Sequence, residues 1–216
     1  MNRRDFSAHL MGLGLGATAL SASLPALAQD KPIEGKHYIR LGNAAPVSAP
    51  AGKLEVIEFF WYNCPHCAAF EPNLDAWQKK LPADVAFRRV PVAFREMYAP
   101  QQQLFYAIEA LGKVEALHRK VFYSIHNERQ PLEKPEQMVA FMEKNGVPKA
   151  QFLEVFNSFA VQTKAKQATR LADAYKIDGV PAMGIHGKFF TSGTIAGTPE
   201  KALLVTDHLL QTLRKG

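Results

Sequence analysis

The sequence predicts an α/β fold, a small β-sheet whose chain is interrupted by a long helical block. Three observations predict it. Leu54 to Trp61 is a near-continuous apolar run, as in a strand covered on both faces. From Tyr98 to Tyr175 the apolar residues recur at helical spacing instead. After Asp178-Gly179-Val180-Pro181 the β pattern returns, and a last helix closes the chain.

Residues 1–28 read as an export signal. Arg3 and Arg4 give a charged start, Leu10 to Leu24 a weakly apolar stretch, and Pro25-Ala26-Leu27-Ala28 an A-x-A cleavage site before Gln29. Arg3-Arg4-Asp5-Phe6 also fits a twin-arginine signal, although Asn2 and Ser7 stand where Ser and Leu are usual. Sec and twin-arginine export both stay open. The competing reading is a retained membrane anchor, disfavoured by the short, glycine-rich stretch and the good cleavage site. No other segment is long and apolar enough to span a membrane.

Gln29 to Lys53 is loop-rich, with Pro32, Pro46 and Pro50, and holds one short strand candidate, His37 to Leu41. Leu54 to Trp61 is the strongest strand, interrupted by Glu58. A helix is predicted from Cys64, with Pro65 in the first turn, where its missing N–H would have lacked a partner anyway. Phe70, Leu74 and Trp77 give it an apolar face, and Pro72 inside it predicts a kink. Val85 to Val92 reads as the next strand. In the helical block Leu104, Phe105, Ile108 and Leu111 share a face, as do Val114, Leu117, Val121 and Ile125. Gly112, Asn127 to Pro135 and Asn145-Gly146-Val147-Pro148 break the block into several helices. Ala182 to Ile185 and Lys188 to Thr191 flank His186-Gly187, a hairpin signal. Thr198-Pro199-Glu200 opens the last helix with an N-cap, a proline at the first position and an acidic first turn. The expected division is residues 29–97 with 176–216 as one domain and 98–175 as a helical insertion.

Composition is that of an ordinary soluble protein, with 47% apolar and 21% charged residues. The formal charge of +6 is spread along the chain, which argues against nucleic-acid binding. Removing residues 1–28 leaves 24 basic and 19 acidic residues.

Cysteine is the informative residue. The chain has 2, both in Cys64-Pro65-His66-Cys67. Random placement would give this spacing about one time in a hundred. An exported protein works where disulfides persist, yet no cysteine is left for a structural bridge. The pair is therefore a redox centre, a metal half-site or an accident. A strand-to-helix junction favours the first, because it puts Cys64 at a helix N-terminus, where unpaired N–H groups and the helix dipole favour a thiolate. A closed zinc site needs about four ligands. Cys64, His66 and Cys67 offer too few, and no second cluster is visible, so no metal is expected.

The order of elements resembles the thioredoxin superfamily with a helical insertion. More closely, the chain resembles the DsbA-type periplasmic thiol:disulfide oxidases. The residues that carry the likeness are Glu55-Val56-Ile57-Glu58-Phe59-Phe60, Cys64-Pro65-His66-Cys67 and Gly179-Val180-Pro181-Ala182-Met183. Glu34-Gly35-Lys36-His37-Tyr38 and Gly187-Lys188-Phe189 add weaker support. The resemblance covers essentially all of the chain after residue 28.

What the resemblance implies can be set beside the residues. Cys64 is the expected nucleophile, with a lowered pKa that favours the reduced form and makes the disulfide oxidising, a direction inherited from the family. Cys67, one turn into the helix, is the expected resolving cysteine. In this superfamily Pro65-His66 resembles an oxidase dipeptide, and a protonated His66 would add a cation beside the sulfur. Val180-Pro181 resembles the family's cis-proline loop, where backbone pairs with an extended substrate peptide. Glu58, a carboxylate in an apolar strand, needs a partner or a proton. The family places an acid there to assist proton transfer at the second cysteine. Arg89 aligns with its cationic partner, where lysine is more usual. His118, His126, His186 and His208 show no ligand spacing or base partner and read as ordinary core or surface histidines.

The expected protein is thus a monomeric periplasmic dithiol oxidase with no cofactor beyond its Cys64–Cys67 disulfide. Its implied partners are reduced, unfolded exported proteins and a DsbB-type inner-membrane reoxidase linked to quinone. The rivals are an exported thiol reductase of the same fold, and a binding module or chaperone whose cysteines are incidental or bind zinc. An isomerase is disfavoured for want of a dimerisation domain ahead of the redox domain.

Overall fold

β2 (Leu54–Phe60) is an interior strand of the sheet with two apolar faces, and Val56, Ile57, Phe59 and Phe60 are fully buried. The computed structural model describes residues 31–215, so the export signal read in residues 1–28 lies outside the described residues. On one side β2 pairs in parallel with β3 (Val85–Pro91). On the other it pairs antiparallel with β4 (Ala182–Ile185), which pairs with β5 (Phe189–Ser192). The short β1 (Ile39–Arg40) completes the order β1-β5-β4-β2-β3. The expected strand at His37 to Leu41 shrinks to these two residues because β5 offers only Phe189 and Phe190 as ladder partners.

α1 (Pro65–Gln78) connects β2 to β3 and turns Cys67, Phe70, Glu71 and Leu74 inward. α8 (Pro199–Lys215) packs beside it through Leu203, Val205, Leu209 and Leu210. Both helices share a core with Val56, Met183 and Ile185 on one face of the sheet. Thr198 starts α8 as expected, its hydroxyl accepting the Lys201 N–H at 3.1 Å.

The helical block runs between β3 and β4. It comprises α2 (Ala99–Ala110), α3 (Val114–His126), α4 (Pro135–Lys144), α5 (Lys149–Phe156) and α6 (Phe159–Ala174). α2 and α6 pack against β3, and α3 packs against α1. Leu104, Val121, Met138 and Phe152 join Ile57 and Phe59 in the second core. Most aromatic and methionine residues of the block are therefore packing residues, whereas Tyr123 and Phe159 are exposed.

The hairpin forms at His186-Gly187, with φ of 49° and 67°, and the Lys188 N–H bonds to Ile185 O at 2.9 Å. β5 resumes at Phe189 rather than Lys188, whose carbonyl instead accepts the Leu41 N–H. The single turn α7 (Gly193–Ala196) was not foreseen, because four residues are too few to show a helical period. Ser192 caps it, accepting the Ile195 N–H at 3.3 Å. Among the described residues no helix is long and apolar enough to cross a membrane.

The topology gathers three segments at one end of the sheet. β2 and β3 are parallel and β4 is antiparallel to both. The exits of β2 and β3 and the entry of β4 therefore share that end, which places Cys64, residues 92–98 and Val180-Pro181 together.

Gly184 tests how closely this sheet is packed. A Cβ there would lie 2.7 Å from the Tyr175 ring and 2.9 Å from the Phe59 ring. Gly184→Ala should cost about 1–3 kcal/mol through overpacking. Urea unfolding should show a lower midpoint at constant slope. An unchanged midpoint would contradict the packing described.

Candidate active site

α1 begins at Pro65, and Cys64 is its N-cap residue rather than its first helical residue, with φ −84° and ψ 114°. That extended conformation swings the sulfur over the first turn. Pro65 has no N–H to offer, so the next free donors are His66 and Cys67. The Cys67 N–H donates to Cys64 Sγ at 3.4 Å. Cys64 Sγ also lies 3.4 Å from Val180 O, to which it donates only while protonated. The Val180–Pro181 peptide bond is cis, as the resemblance implied. Both cysteines are free thiols, Cys64 at 7% exposure and Cys67 at 0%. Pro65 and His66 are exposed beside them.

The two sulfurs have opposite proton affinities. Cys64 falls from 9.0 to about 6, chiefly because the Cys67 thiol bonds to its sulfur. The N–H groups of Cys67 and His66 and the charge of His66 add to this. Burial pushes Cys67 far up, and the nearby Cys64 and Glu58 push it further. At neutral pH the pair is a Cys64 thiolate beside a Cys67 thiol.

Behind Cys67 lies a buried polar cluster. Glu58 is fully buried, which settles its place inside the sheet rather than at a solvated edge. Arg89, its register partner on β3, brings Nε to 3.1 Å from Glu58 Oε2. The two charges touch without an aligned hydrogen bond, and neither Glu58 oxygen accepts one. The same guanidinium donates through Nη2 to Glu71 at 3.0 Å and to Asp75 at 3.1 Å, both on α1. Burial, then the charge of Glu71, raise the Glu58 pKa well above the usual carboxylate range, against the pull of Arg89. Burial also opposes ionisation of Glu71, but His118 and Arg89 outweigh it and hold Glu71 below that range.

His118 is a correction to the sequence reading, which gave it no partner. It is buried, with Nε2 3.1 Å from Glu71 Oε1 and Nδ1 2.9 Å from the Tyr62 hydroxyl. His126 Nε2 lies 2.8 Å from Tyr62 O, and His186 Nδ1 accepts the Glu55 N–H at 3.2 Å. Glu71 and His118 both had a signal in the sequence. Each is a polar residue on an apolar helical stripe, with Phe70 and Leu74 on α1 and with Leu117 and Val121 on α3. Pattern alone could not show that the two stripes meet.

Glu58, Glu71 and His118 place ligand atoms within 4.8 Å of one another, close enough to hold an ion. Arg89 already stands against both carboxylates as their cation. Cavities of about 560, 540 and 150 Å³ occur elsewhere, and none is lined by Cys64, Pro65, His66, Val180 or Pro181. Cys64, 7% exposed, places the reacting sulfur beside the backbone of Val180, with the exposed Pro65 and His66 next to it.

A C-x-x-C at a helix start, an acidic first thiol and a facing cis-proline loop define a thiol:disulfide oxidoreductase of thioredoxin fold. Comparison with known proteins gives the family. Residues 55–199 match the model of the DSBA-like thioredoxin domain, and the chain belongs to that family. It is 41% identical over 212 residues to the thiol:disulfide interchange protein DsbA of Burkholderia cepacia, covering 98% of both chains. It is 43% identical to the protein of that name from Pseudomonas aeruginosa, covering 83% of this chain and 85% of that one. The crystal structure of P. aeruginosa DsbA superposes with a TM-score of 0.81 at 42% identity, over 85% of this chain and 95% of that one. DsbA of Xylella fastidiosa superposes with a TM-score of 0.80 at 30% identity, over 86% and 99%.

The thiolate has a pH signature. Because the folded pKa of Cys64 is depressed, its stabilisation of the reduced protein is complete above pH 9 and lost as pH falls through about 6. Ultraviolet absorbance of the thiolate, or the rate of alkylation, should titrate with a midpoint near 6. His66→Ala should move the midpoint upward. A midpoint in the range of a free cysteine would contradict the geometry.

Proposed function

We propose that this protein is a dithiol oxidase that donates its Cys64–Cys67 disulfide to newly exported proteins in the periplasm. The observation that carries the reading is the contrast between the two thiols. A thiolate stabilised at Cys64 favours the reduced enzyme, so the oxidised enzyme gives its disulfide away. The relatives are named for thiol:disulfide interchange, which supports the same activity here.

The steps follow from the two sulfurs. A client thiolate attacks Cys64 of the enzyme disulfide. A client–Cys64 disulfide forms, and the Cys64–Cys67 bond breaks with its electron pair on Cys67. Cys67, whose affinity for a proton is very high, takes one from protonated Glu58. A second client thiol loses its proton and attacks the client sulfur of the mixed disulfide. The client leaves with a disulfide, and Cys64 leaves as its stabilised thiolate. The client has lost an electron pair and the enzyme has gained it.

Clients are expected to be unfolded, and the surface around the sulfur suits them. Trp61 packs against Tyr98 with ring centroids 4.4 Å apart and planes tilted by 44°, and Phe94 and Met97 are 43% and 64% exposed in the segment leaving β3. These apolar groups share the active-site end of the sheet. Beside them Val180 can pair with an extended client backbone. The enzyme acts as a monomer, needs no separate cofactor and is reoxidised by a DsbB-type membrane partner that passes the electrons to quinone.

Equilibration with glutathione buffers, followed by fluorescence of Trp61 and Trp77, tests the reading. A potential well above the glutathione couple is expected. A potential well below it would make the protein a reductase, and no dithiol transition at all would return the cysteines to a zinc or incidental role. Cys67→Ala has no disulfide to donate, so it should fail to oxidise a reduced client. Offered a client that already carries a disulfide, its Cys64 thiolate should displace one client thiol and remain trapped as a mixed disulfide, visible on non-reducing gels. Glu58→Gln should change turnover and its pH profile while leaving Cys64 titratable. An unchanged profile would remove Glu58 from the proton step.

A further inference from the structure

The buried cluster holds more negative charge than its cation balances. Glu58 on β2 and Glu71 on α1 are both buried, and among the described residues Arg89 on β3 is the one guanidinium that touches them. Asp75, partly exposed on α1, shares that same guanidinium and has Arg119 of α3 at 3.7 Å. The reacting atoms of Glu58, Glu71 and His118 all lie within 4.8 Å. Two like charges so close do not both ionise in a site shielded from water, so the pair retains a proton.

Hydrogen bonding decides where that proton resides. Glu71 accepts from Arg89 Nη2 and faces His118 Nε2. Glu58 accepts no aligned bond at either oxygen. A carboxylate that accepts donors keeps its charge, and one without them keeps the proton. Glu71 is then an acceptor only, so His118 Nε2 must carry the hydrogen it shares with Glu71. Nδ1 is left to accept the hydroxyl of Tyr62, whose oxygen has no other hydrogen-bond partner among the described residues.

We propose that His118 is a positioning residue of the thiol–disulfide reaction: from α3 it fixes the charge on Glu71 and so places the shared proton on Glu58, beside Cys67. The helical block thereby takes part in the chemistry of the sheet. Without the His118 donor, Glu71 competes for the proton and its charge no longer opposes ionisation of Glu58. Glu58 then stands ionised at lower pH and has no proton to give when Cys67 departs from the disulfide. The inference builds on the dithiol-oxidase reading for its consequence, but its test stands apart from the redox potential.

The test is a carboxyl titration of Glu58 by carbon-13 NMR in the full, oxidised chain, with signals assigned through Glu58→Gln. His118→Phe keeps a buried ring and removes both nitrogens. Its Glu58 midpoint should fall by about one pH unit, a tenfold change in proton occupancy. The alkaline limb of mixed-disulfide formation with a model dithiol peptide should fall with it. His118→Gln, whose amide can donate to Glu71, should restore much of both, and His118→Leu, which likewise has no donor, takes the place of His118→Phe if that variant does not fold. In a Glu71→Gln background His118→Phe should have no further effect on Glu58, because the coupling runs through that charge. An unchanged Glu58 midpoint in the folded variant without a donor, or a His118 effect that persists in full without the Glu71 charge, would overturn the proposal. Either result leaves the glutathione equilibrium, and the oxidase reading, to stand or fall separately.

Discussion

Two carboxyl groups and one guanidinium are enclosed behind Cys67, and the surrounding architecture accommodates their unequal charge. Fully ionised, Glu58 and Glu71 would repel by about 3–4 kcal/mol at an effective dielectric constant near 20, taking 4.8 Å as their separation. Arg89 offsets part of this, and burial works against every charge present. The strand register that pairs Glu58 with Arg89 is therefore a chemical constraint as well as a backbone one. So is the face of α1 that turns Glu71 inward with Phe70 and Leu74. A slip of one residue in β3 would put Arg88, held by Glu55 at 3.0 Å, on the wrong side of the sheet.

The helix start supplies the complementary device. Cys64 stands just outside α1 and Cys67 one turn inside, so a separation of three residues takes one sulfur to the helix start beside Val180 and the other into the core. The first sulfur meets donors, and the second meets apolar side chains and a carboxyl group. Proline at the first helical position sharpens the contrast, because its absent N–H leaves the donors of the next two residues for Cys64. The redox function thus rests on an ordinary rule of helix capping, with sulfur in the place of the usual capping oxygen.

Much of this was legible in the sequence because the signals are local. The apolar run at Leu54, the proline after Cys64 and the Thr198-Pro199-Glu200 cap each declare themselves within a few residues. Glu58 could be singled out because a carboxylate in an apolar strand is conspicuous. Arg89 could be matched to it only by likeness to a family. Glu71 and His118 escaped for a different reason. An acid or a histidine on a helical stripe is common, and its meaning depends on what the opposite helix presents. The contact joins positions 47 residues apart across α1 and α3, and no periodicity reports on that. The short elements failed for want of length, since β1 has two residues and α7 four.

The contact between Cys64 and Val180 bridges 116 positions of the chain, with the whole helical block between them. The features that acidify Cys64 come from its immediate neighbours, Cys67 and His66. A nascent chain therefore has the means to make a reactive thiolate long before it can present the backbone that faces it. Contacts of such long range carry the larger loop-closure entropy and so form late. Reactivity is encoded early and locally, whereas docking for a client waits until β4 and β5, beyond the helical block, have joined the sheet. During its own maturation the chain is thus a thiol before it is a catalyst.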